Sequence, residues 1–289
     1  MASIKAIRRR ITSVNSTQQI TRAMKLIAAA RLRRAQAALL NARPYAQTLA
    51  RVAGSLLESE KSLLEPREDA KAQSLIVTIA SDRGLCGAYN SNVVRMAEEI
   101  AKQQVSANRA PAYFAVGRKA VEHFKRTRAS LGGESMGNQP LATVELARVI
   151  GTRMLGDYLS GAVREAGIVY SRFKSALSQT PVYERVLPLV AAEESVKEHG
   201  VELVEYLIEP SRSMLVPIVL QSYVESAVFH ALLEAEASDN AAKMTAMDAA
   251  TNNATDMIAS LTLEMNRARQ AAITRDLMDI VGGSEALRE

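Results

Sequence analysis

The chain is poor in the residues that cross-link a fold or build common catalytic centres. Its 289 residues include one cysteine, three histidines and no tryptophan. Because Cys86 stands alone, a disulfide within the chain is excluded, and so is a zinc site made of several thiolates. His123, His199 and His230 show no HExxH spacing, and no GxSxG sequence occurs. The sequence therefore gives little support for metal-assisted hydrolysis or for a serine nucleophile.

Long apolar runs are also missing. The longest ones, such as Met214–Leu220, fall far short of the ~20 residues that a membrane span needs. The first ten residues, MASIKAIRRR, carry charge, but no apolar segment of a signal peptide follows them. Hydrophobic residues make up 48% and charged residues 23% of the chain, a composition typical of soluble globular proteins. We expect a cytoplasmic protein that reaches a membrane only through partners.

Acidic residues are absent before Glu58, and the two ends of the chain differ in charge. The C-terminal stretch 218–289 holds eleven acidic and five basic residues, whereas every charged residue among the first 57 is basic. Two long helices of opposite sign at opposite ends suggest a pair. The N-terminal cations are Lys5, Arg8, Arg9, Arg10, Arg22, Lys25, Arg31, Arg33, Arg34, Arg43 and Arg51.

The N-terminal segment keeps a 3-4 spacing of apolar residues from Ile4 to Leu56 without a slip. A heptad pattern this long predicts a helix that winds around another helix. Gln18, Thr21 and Lys25 are consecutive polar exceptions in this seam. The thirteen apolar positions are Ile4, Ile7, Ile11, Val14, Ala28, Leu32, Ala35, Leu39, Ala42, Ala46, Leu49, Ala53 and Leu56.

The C-terminal segment predicts a second long helix, from Pro217 to Val281, with a stop at Gly282-Gly283. Its apolar spacing changes phase near Thr245. Small residues, amides and arginines occupy most sides of the segment itself. A helix that is polar on most sides bridges domains, pairs with another helix or sits inside a partner. An ordinary helical bundle is the alternative, but it needs two more helices of similar length. The two seams contain Val224, Val228, Ala231, Ala235, Ser238 and Ala242, then Ala254, Ile258, Leu261, Met265, Ala268 and Ala272.

The middle of the chain alternates short apolar, β-branched runs with helical patterns. This alternation predicts a small α/β domain with a largely parallel sheet, inserted between the two long helices. LGGESMGNQP, at 131–140, reads as a loop. The predicted strands are Ser74–Ala80, Ala112–Val116, Gly167–Phe173, Pro181–Leu187 and Glu202–Ile208, and the predicted helices are Asn92–Gln104, Arg118–Lys125 and Thr143–Glu165.

The loop SDRGLCGAYNSN follows the first strand and precedes a helix, where phosphate-binding loops lie. Gly84 and Gly87 supply only GxxG, without GxGxxG or a following Lys, so the pattern argues weakly for a nucleotide. Cys86 is either a thiol activated by the helix N-terminus or a small buried side chain; the second reading is the more common one.

A nucleic-acid partner is a second alternative, since the basic N-terminal helix could neutralise phosphates. Tyr45 is the only aromatic residue among the first 57, so that helix has no stacking surface. The acidic partner helix would also repel the nucleic-acid backbone. A coiled-coil scaffold or nucleic-acid organiser therefore remains the weaker reading.

Four stretches resemble the γ subunit of the F-type ATP synthase, in its bacterial form, with consistent order and spacing from end to end. They are STQQITRAMKLIAAARLRRAQ (16–36), SDRGLCGAYN (81–90), YVESAVFHALLEAEASDNAAKMTAMDAATNNA (223–254) and NRARQAAITRDLMDIVGG (266–283). The resemblance implies an antiparallel coiled coil of the terminal helices, here 1–62 and 211–289, with a Rossmann-like α/β domain at 73–208 between them.

The resemblance also implies a function and a set of partners. The coiled coil would be a rotating central stalk inside three α and three β subunits, with an ε subunit beside it and its foot on the c ring. It would couple ion flow to ATP synthesis on β without catalysing a reaction or binding a cofactor or metal. It would lie at the cytoplasmic face of the bacterial inner membrane, touch the membrane only through the c ring and bind no nucleic acid.

Several residues match regions of the family that contact partners. Tyr206 and Glu209, in EYLIEP, match the foot that faces the c ring, although Tyr206 is equally well explained as a core residue. The polar break in the seam at Gln18, Thr21 and Lys25 falls in the region that the resemblance places near β, so we interpret it as partner contact rather than tight helix pairing. Lys25 has an alternative as a seam lysine, and Arg269 and Gln270 have one as solvated side chains. The residues that the resemblance places against β are Arg269, Gln270, Thr274, Met24, Lys25, Arg9, Arg10, Arg31, Arg33 and Arg34.

Overall fold

Two long helices enclose five strands and three shorter helices in the chain order. The structure, a computed structural model, describes residues 4–57, 73–137, 140–189, 209 and 211–286, without the side chains of 54–57 and 281–286. The elements are α1 (Ile4–Leu57), β1 (Gln73–Ile79), α2 (Tyr89–Ser106), β2 (Ala110–Val116), α3 (Arg118–Arg126), β3 (Leu131–Ser135), α4 (Val144–Leu159), β4 (Glu165–Phe173), β5 (Gln179–Leu187) and α5 (Arg212–Ala286).

The chain divides into two compact units. One consists of Met1–Ile27 with Met244–Glu289, and the other of Ala28–Lys243. The second unit contains all five strands, so it holds the α/β fold that the sequence predicts. The boundaries 1–62, 73–208 and 211–289 stay a prediction.

The strands form one sheet in the order β3-β2-β1-β4-β5. The first four are parallel, and β5 runs antiparallel to β4. β2 and β3 follow on one side of β1, and β4 and β5 follow on the other side. This is the doubly wound arrangement of Rossmann-like domains, in which helices cover both faces of the sheet. Here Ile76 of β1 packs with α2 and α3, while Val77 and Ile79 pack with α4 and α5. The prediction of a largely parallel sheet is confirmed.

Two local predictions inside this unit are wrong. α4 ends at Leu159 rather than at Glu165, because Gly161 takes a left-handed φ of 71° and the chain turns into β4. Residues Leu131–Ser135, read as a loop, form β3 beside β2. The glycines that suggested a loop serve close packing instead, since a Cβ on Gly133 would lie 2.5 Å from the Phe114 ring.

The C-terminal helix is longer than predicted at both ends. It begins at Arg212, before Pro217, and continues through Gly282-Gly283 to Ala286. Two glycines cost a helix only about 1 kcal/mol each, so they weaken its end without stopping it. α1 likewise continues through Pro44. The predicted strand Glu202–Ile208 lies outside the described residues.

By length and composition alone, a window of α5 is apolar enough to cross a membrane. The helix has another use for these side chains. Leu220, Val224 and Val228 belong to the core beneath the sheet. Only 28% of that window is buried, so core packing accounts for part of the apolar character of this stretch of α5.

Candidate functional site

The seam of α1 follows the predicted heptads. Every predicted seam position from Ile4 to Ala53 is buried or half-buried, and nearly all residues between them are exposed. Ile7 in the first unit is 4% exposed, and Leu32 in the second is 5% exposed. A single apolar stripe on a helix of 54 residues is the pattern of a helix that pairs along its length.

The seam of α5 is also confirmed, including its change of phase. Ser238 and Ala242 end the first stripe, and the second runs through Ala254 and Leu261 to Ala272. Beyond Ala272 every described side chain, through Ile280, is exposed. The exposed set there includes Ile273, Leu277, Met278 and Ile280. The end of α5 therefore presents apolar side chains that no described residue covers.

Three polar contacts join α1 to α5 within the first unit. The Gln18 amide donates to Thr255 Oγ1 at 2.7 Å, and Thr251 donates to Thr21 Oγ1 at 2.8 Å. The next contact is an ion pair, with Lys25 Nζ 2.6 Å from Asp248 Oδ1. As the α1 numbers rise, the α5 numbers fall, so the two helices are antiparallel.

These contacts correct the interpretation of Gln18, Thr21 and Lys25 as positions that serve partner contact rather than helix pairing. All three bond to α5. The sequence reading compared apolar seams only, and so it missed the complementary polar groups on α5. The Lys25 and Asp248 side chains are 40% and 46% exposed. An ion pair so exposed contributes about 0–1 kcal/mol, and its larger effect is on register.

The outer surface of α1 is basic. Arg9 and Arg10, in the first unit, and Arg31, Arg33 and Arg34, in the second, are exposed, and Met24 is half-buried. Among residues 4–57, 73–137, 140–189 and 211–280, none of the five arginines has an ion-pair partner. Guanidinium groups without an ion-pair partner among these residues are available to bind carboxylates of another molecule, although the charge of Arg31 also acts on Asp239.

The predicted contact residues near the end of α5 are exposed as well. Arg269 and Gln270 are exposed and lie outside the seam of α5. Thr274 is exposed, but its hydroxyl donates to the Gln270 carbonyl at 3.0 Å, so part of its hydrogen-bonding capacity is used within the helix. Glu209 is exposed. Tyr206 lies outside the described residues.

The loop after β1 is tied to the fold at Asp82 and Tyr89. Asp82 accepts from the backbone N–H groups of Arg118, at 2.8 Å, and Gly137, at 3.2 Å. The first of these bonds occupies the N-terminus of α3, whereas the N-terminus of α2, into which the loop leads, has no side-chain cap among the described residues. Tyr89, at the start of α2, donates to the Ala235 carbonyl at 3.2 Å. The weak nucleotide reading of GxxG gains no support from this geometry.

Cys86 in the same loop is buried, with 2% of its surface exposed. Asn90 donates to its sulfur at 3.1 Å. Burial raises the pKa of Cys86, and the negative charge of Asp239 raises this pKa further. The structure therefore favours the buried thiol over the activated one.

Sequence reasoning missed the polar residues by which α5 meets the rest of the chain. Asp248, Thr251 and Thr255 face α1 in the first unit, and Glu234 and Glu236 bond to backbone of the second unit. A signal existed for the first group, because a polar interruption in one seam predicts a matching one in its partner. The acids of 234–239 resemble surface residues in sequence, and only packing shows otherwise.

Comparison with known proteins places these features in one family. A family model described as ATP synthase matches residues 3–287. The ATP synthase gamma chain of Moorella thermoacetica is 43% identical over 294 residues, an alignment that covers 100% of both chains.

Solved structures give the same fold. The central stalk and c-ring structure of the Tetrahymena thermophila mitochondrial ATP synthase contains a chain with a TM-score of 0.61 and 25% identity, covering 80% of this chain and 99% of that one. A chain of the Euglena gracilis mitochondrial ATP synthase, solved with OSCP, F1 and the c-ring, has a TM-score of 0.68 and 21% identity. That match covers 98% of this chain and 94% of the other, and at this identity it shows the fold alone.

Proposed function

The chain belongs to the family of ATP synthase gamma chains and is the central stalk subunit of that membrane-associated complex; on this premise we propose that it is a rotor. Ion flow would turn a ring of c subunits, the ring would turn this chain, and the chain would change the conformation of each of three β subunits in turn. Three α subunits would complete the surrounding ring.

The observation that carries this proposal is the surface of the helix pair. Seam residues such as Ile7, Ala254 and Leu261 are buried between the helices. Most of the outer surface is polar, which suits a shaft that must slide past its neighbours rather than stick to one of them. The exposed apolar side chains of Ile273, Leu277 and Met278 need cover from outside the described chain. An enclosing ring of subunits would supply it.

Rotation transmits energy only if the chain binds different β conformations with different free energies. We assign this discrimination to two groups of residues. Arg269, Gln270 and Thr274 would meet a loop of β near the end of α5. Lys25, whose ammonium has donors left after bonding Asp248, would meet an acidic loop of β together with Met24 and Arg9, Arg10, Arg31, Arg33 and Arg34.

The remaining partners are assigned by position along the chain. Tyr206 and Glu209 would face the c ring, and an ε subunit would bind beside the stalk. The chain would touch the membrane only through the c ring, at the cytoplasmic face of the bacterial inner membrane. The helical ends 1–62 and 211–289 would form the shaft, and 73–208 the domain beside it.

We also assign no catalytic step to this chain itself. ATP would form on β, and the stalk would supply position and force. In the second unit the candidate groups are already in use, because Cys86 is buried and the His123 ring bonds Glu98 at 2.7 Å. These contacts support a structural role for both side chains.

Co-assembly tests the proposal. The chain is expressed with the α, β and ε subunits of the same organism, and the complex is purified through an affinity tag on β. We expect an ATP-hydrolysing complex that contains the chain. Expression without it serves as the control. If the subunits assemble and the chain stays in the unbound fraction, the rotor proposal fails.

A further inference from the structure

About three turns of α5 are enclosed on all sides. Every residue from Ala231 to Ala241 is buried, apart from the half-buried Glu236. This stretch nevertheless contains three acids, Glu234, Glu236 and Asp239. A buried carboxylate is costly unless hydrogen bonds or charges compensate it. The partners of these acids therefore show what the segment does.

Two of the acids bond to backbone N–H groups, and Glu234 has in addition the His230 ring 3.9 Å from its other oxygen. Glu234 Oε2 accepts from the N–H of Phe173, the last residue of β4, at 2.6 Å. Glu236 Oε2 accepts from the N–H of Ala142, just before α4, at 2.9 Å. The third acid differs, because Asp239 pairs with Lys243 on the same helix.

Ser238 adds a contact of the opposite sense. Its hydroxyl is fully buried and donates to the Ser171 carbonyl of β4 at 2.7 Å. With Glu234 and Glu236, it connects three successive even-numbered positions of α5 to backbone groups at the C-terminal end of β4 and in the loop before α4. We call Glu234, Glu236 and Ser238 the clamp residues.

Apolar packing alone does not fix this helix. Val228, Ala231 and Ala235 face the core with small or branched side chains, and burial of apolar surface has no direction. Hydrogen bonds weaken steeply when their angle departs from linear, so they resist both rotation and sliding. The clamp residues supply that resistance because their partners are backbone atoms. A backbone atom cannot follow a moving helix by a change of side-chain rotamer.

We propose that the clamp residues are positioning residues for torque transfer, fixing the rotational and axial setting of α5 against the sheet of the same unit. A torque applied to the α/β domain is then transmitted to α5, because the helix cannot rotate or slide against the sheet. The inference rests on the proposed rotor function. It assigns to three residues a role in coupling that is separate from contact with any partner subunit.

The test uses the assembled complex in inverted membrane vesicles, with ATP hydrolysis and ATP-driven ion pumping measured side by side. For the double variant Glu234→Ala/Glu236→Ala we expect the ratio of ions pumped to ATP hydrolysed to fall about fivefold under a membrane potential, with hydrolysis retained. Glu234→Gln keeps an acceptor oxygen and should lose much less. Asp256→Ala, an exposed acid on the same helix, is the control and should leave the ratio unchanged.

Hydrogen exchange in the same complexes separates positioning from general destabilisation. The N–H groups of Phe173 and Ala142 should exchange faster in the double variant, while the sheet centre at Val77 stays protected. Should the double variant fail to assemble, Ser238→Ala and Glu234→Gln are measured in its place. We expect Ser238→Ala to lower the pumping ratio more than Glu234→Gln does. Faster exchange with an unchanged pumping ratio overturns the inference. A wild-type complex that hydrolyses ATP without pumping counts against the rotor function itself.

Discussion

The ammonium group of Lys25 lies 2.6 Å from a carboxylate oxygen of Asp248, across the interface between α1 and α5. With Thr21–Thr251 and Gln18–Thr255 it forms a row of three polar contacts in an otherwise apolar seam. Polar groups in a seam cost stability, but they penalise every register in which they miss their partners. The row therefore sets how the two ends of the chain align.

Exchange of the two charges tests this alignment. Lys25→Asp or Asp248→Lys alone places like charges together, and we expect coupled ATP turnover to fall by up to about fivefold, which corresponds to the up to about 1 kcal/mol of an exposed pair. The double variant Lys25→Asp/Asp248→Lys restores the attraction. Its turnover in membrane vesicles should rise above that of both single variants.

The exchange also separates two roles of Lys25. If an acidic loop of β needs this ammonium more than Asp248 does, the double variant stays as weak as Lys25→Asp. Added salt should narrow the differences between the variants, because exposed charges are screened.

Two glycines of α4 provide a matched pair for stability. A Cβ on Gly151 would lie 2.9 Å from Glu225 Cγ and 3.1 Å from its Cα, whereas one on Gly156 meets nothing within 4 Å. Gly151→Ala should therefore destabilise the fold by about 1–3 kcal/mol. Gly156→Ala should stabilise the helix by about 0.5–1 kcal/mol. Denaturant unfolding of the purified chain, followed by circular dichroism, measures both; equal effects would contradict the close approach of α4 to α5.

Regular patterns in the sequence predicted the fold well where one interaction dominated. The seam of α1 repeats the same apolar choice from Ile4 to Ala53, so single positions hardly mattered. β3 was missed because Gly132 and Gly133 signal a loop locally, and only the Phe114 ring beside them makes glycine necessary in a strand. The ends of α4 and α5 depended on what their glycines do: Gly161 turns the chain after α4, whereas Gly282 and Gly283 remain helical, because about 1 kcal/mol each is too little to stop α5.

Cys86 should react slowly with alkylating reagents. Burial raises the pKa of Cys86, so at pH 8 a smaller fraction of this thiol is ionised than of an ordinary cysteine. Its reactivity should rise as the pH increases above the usual pKa of a thiol. We expect iodoacetamide to modify it at least about tenfold more slowly than a cysteine placed by Ser106→Cys in a Cys86→Ala background. Ser106 is exposed at the end of α2, so it is a suitable reference. Equal rates would show that the loop opens.

Arg269 should matter for coupling and not for folding. Its side chain is exposed in the chain, so Arg269→Ala removes no internal contact among the described residues. In the assembled complex we expect coupled turnover to fall about tenfold, since a hydrogen bond to a charged group contributes about 1.5–3 kcal/mol. Arg267→Ala removes an exposed arginine two positions away and should have little effect. Unchanged turnover in Arg269→Ala would remove the residue from the proposed contact with β.

The candidate site was predictable only in part. Exposure of Arg269 and of the N-terminal arginines follows from their places outside the seams. The bonds of Glu234 and Glu236 to backbone did not follow, because an acid on a helix looks the same in sequence whether it faces water or a strand end. Pairing of Lys25 with Asp248 required the register of the two helices, which neither seam alone defines.

Rotation of the chain inside its host is the most direct measurement of the central claim. A probe attached to Ser106→Cys in a Cys86→Ala background reports the motion of the α/β domain, while the complex is immobilised through β. Addition of ATP should turn the probe continuously in one direction, and the Lys25→Asp/Asp248→Lys variant should turn as well. A probe that stays fixed while the same complexes hydrolyse ATP would contradict the account.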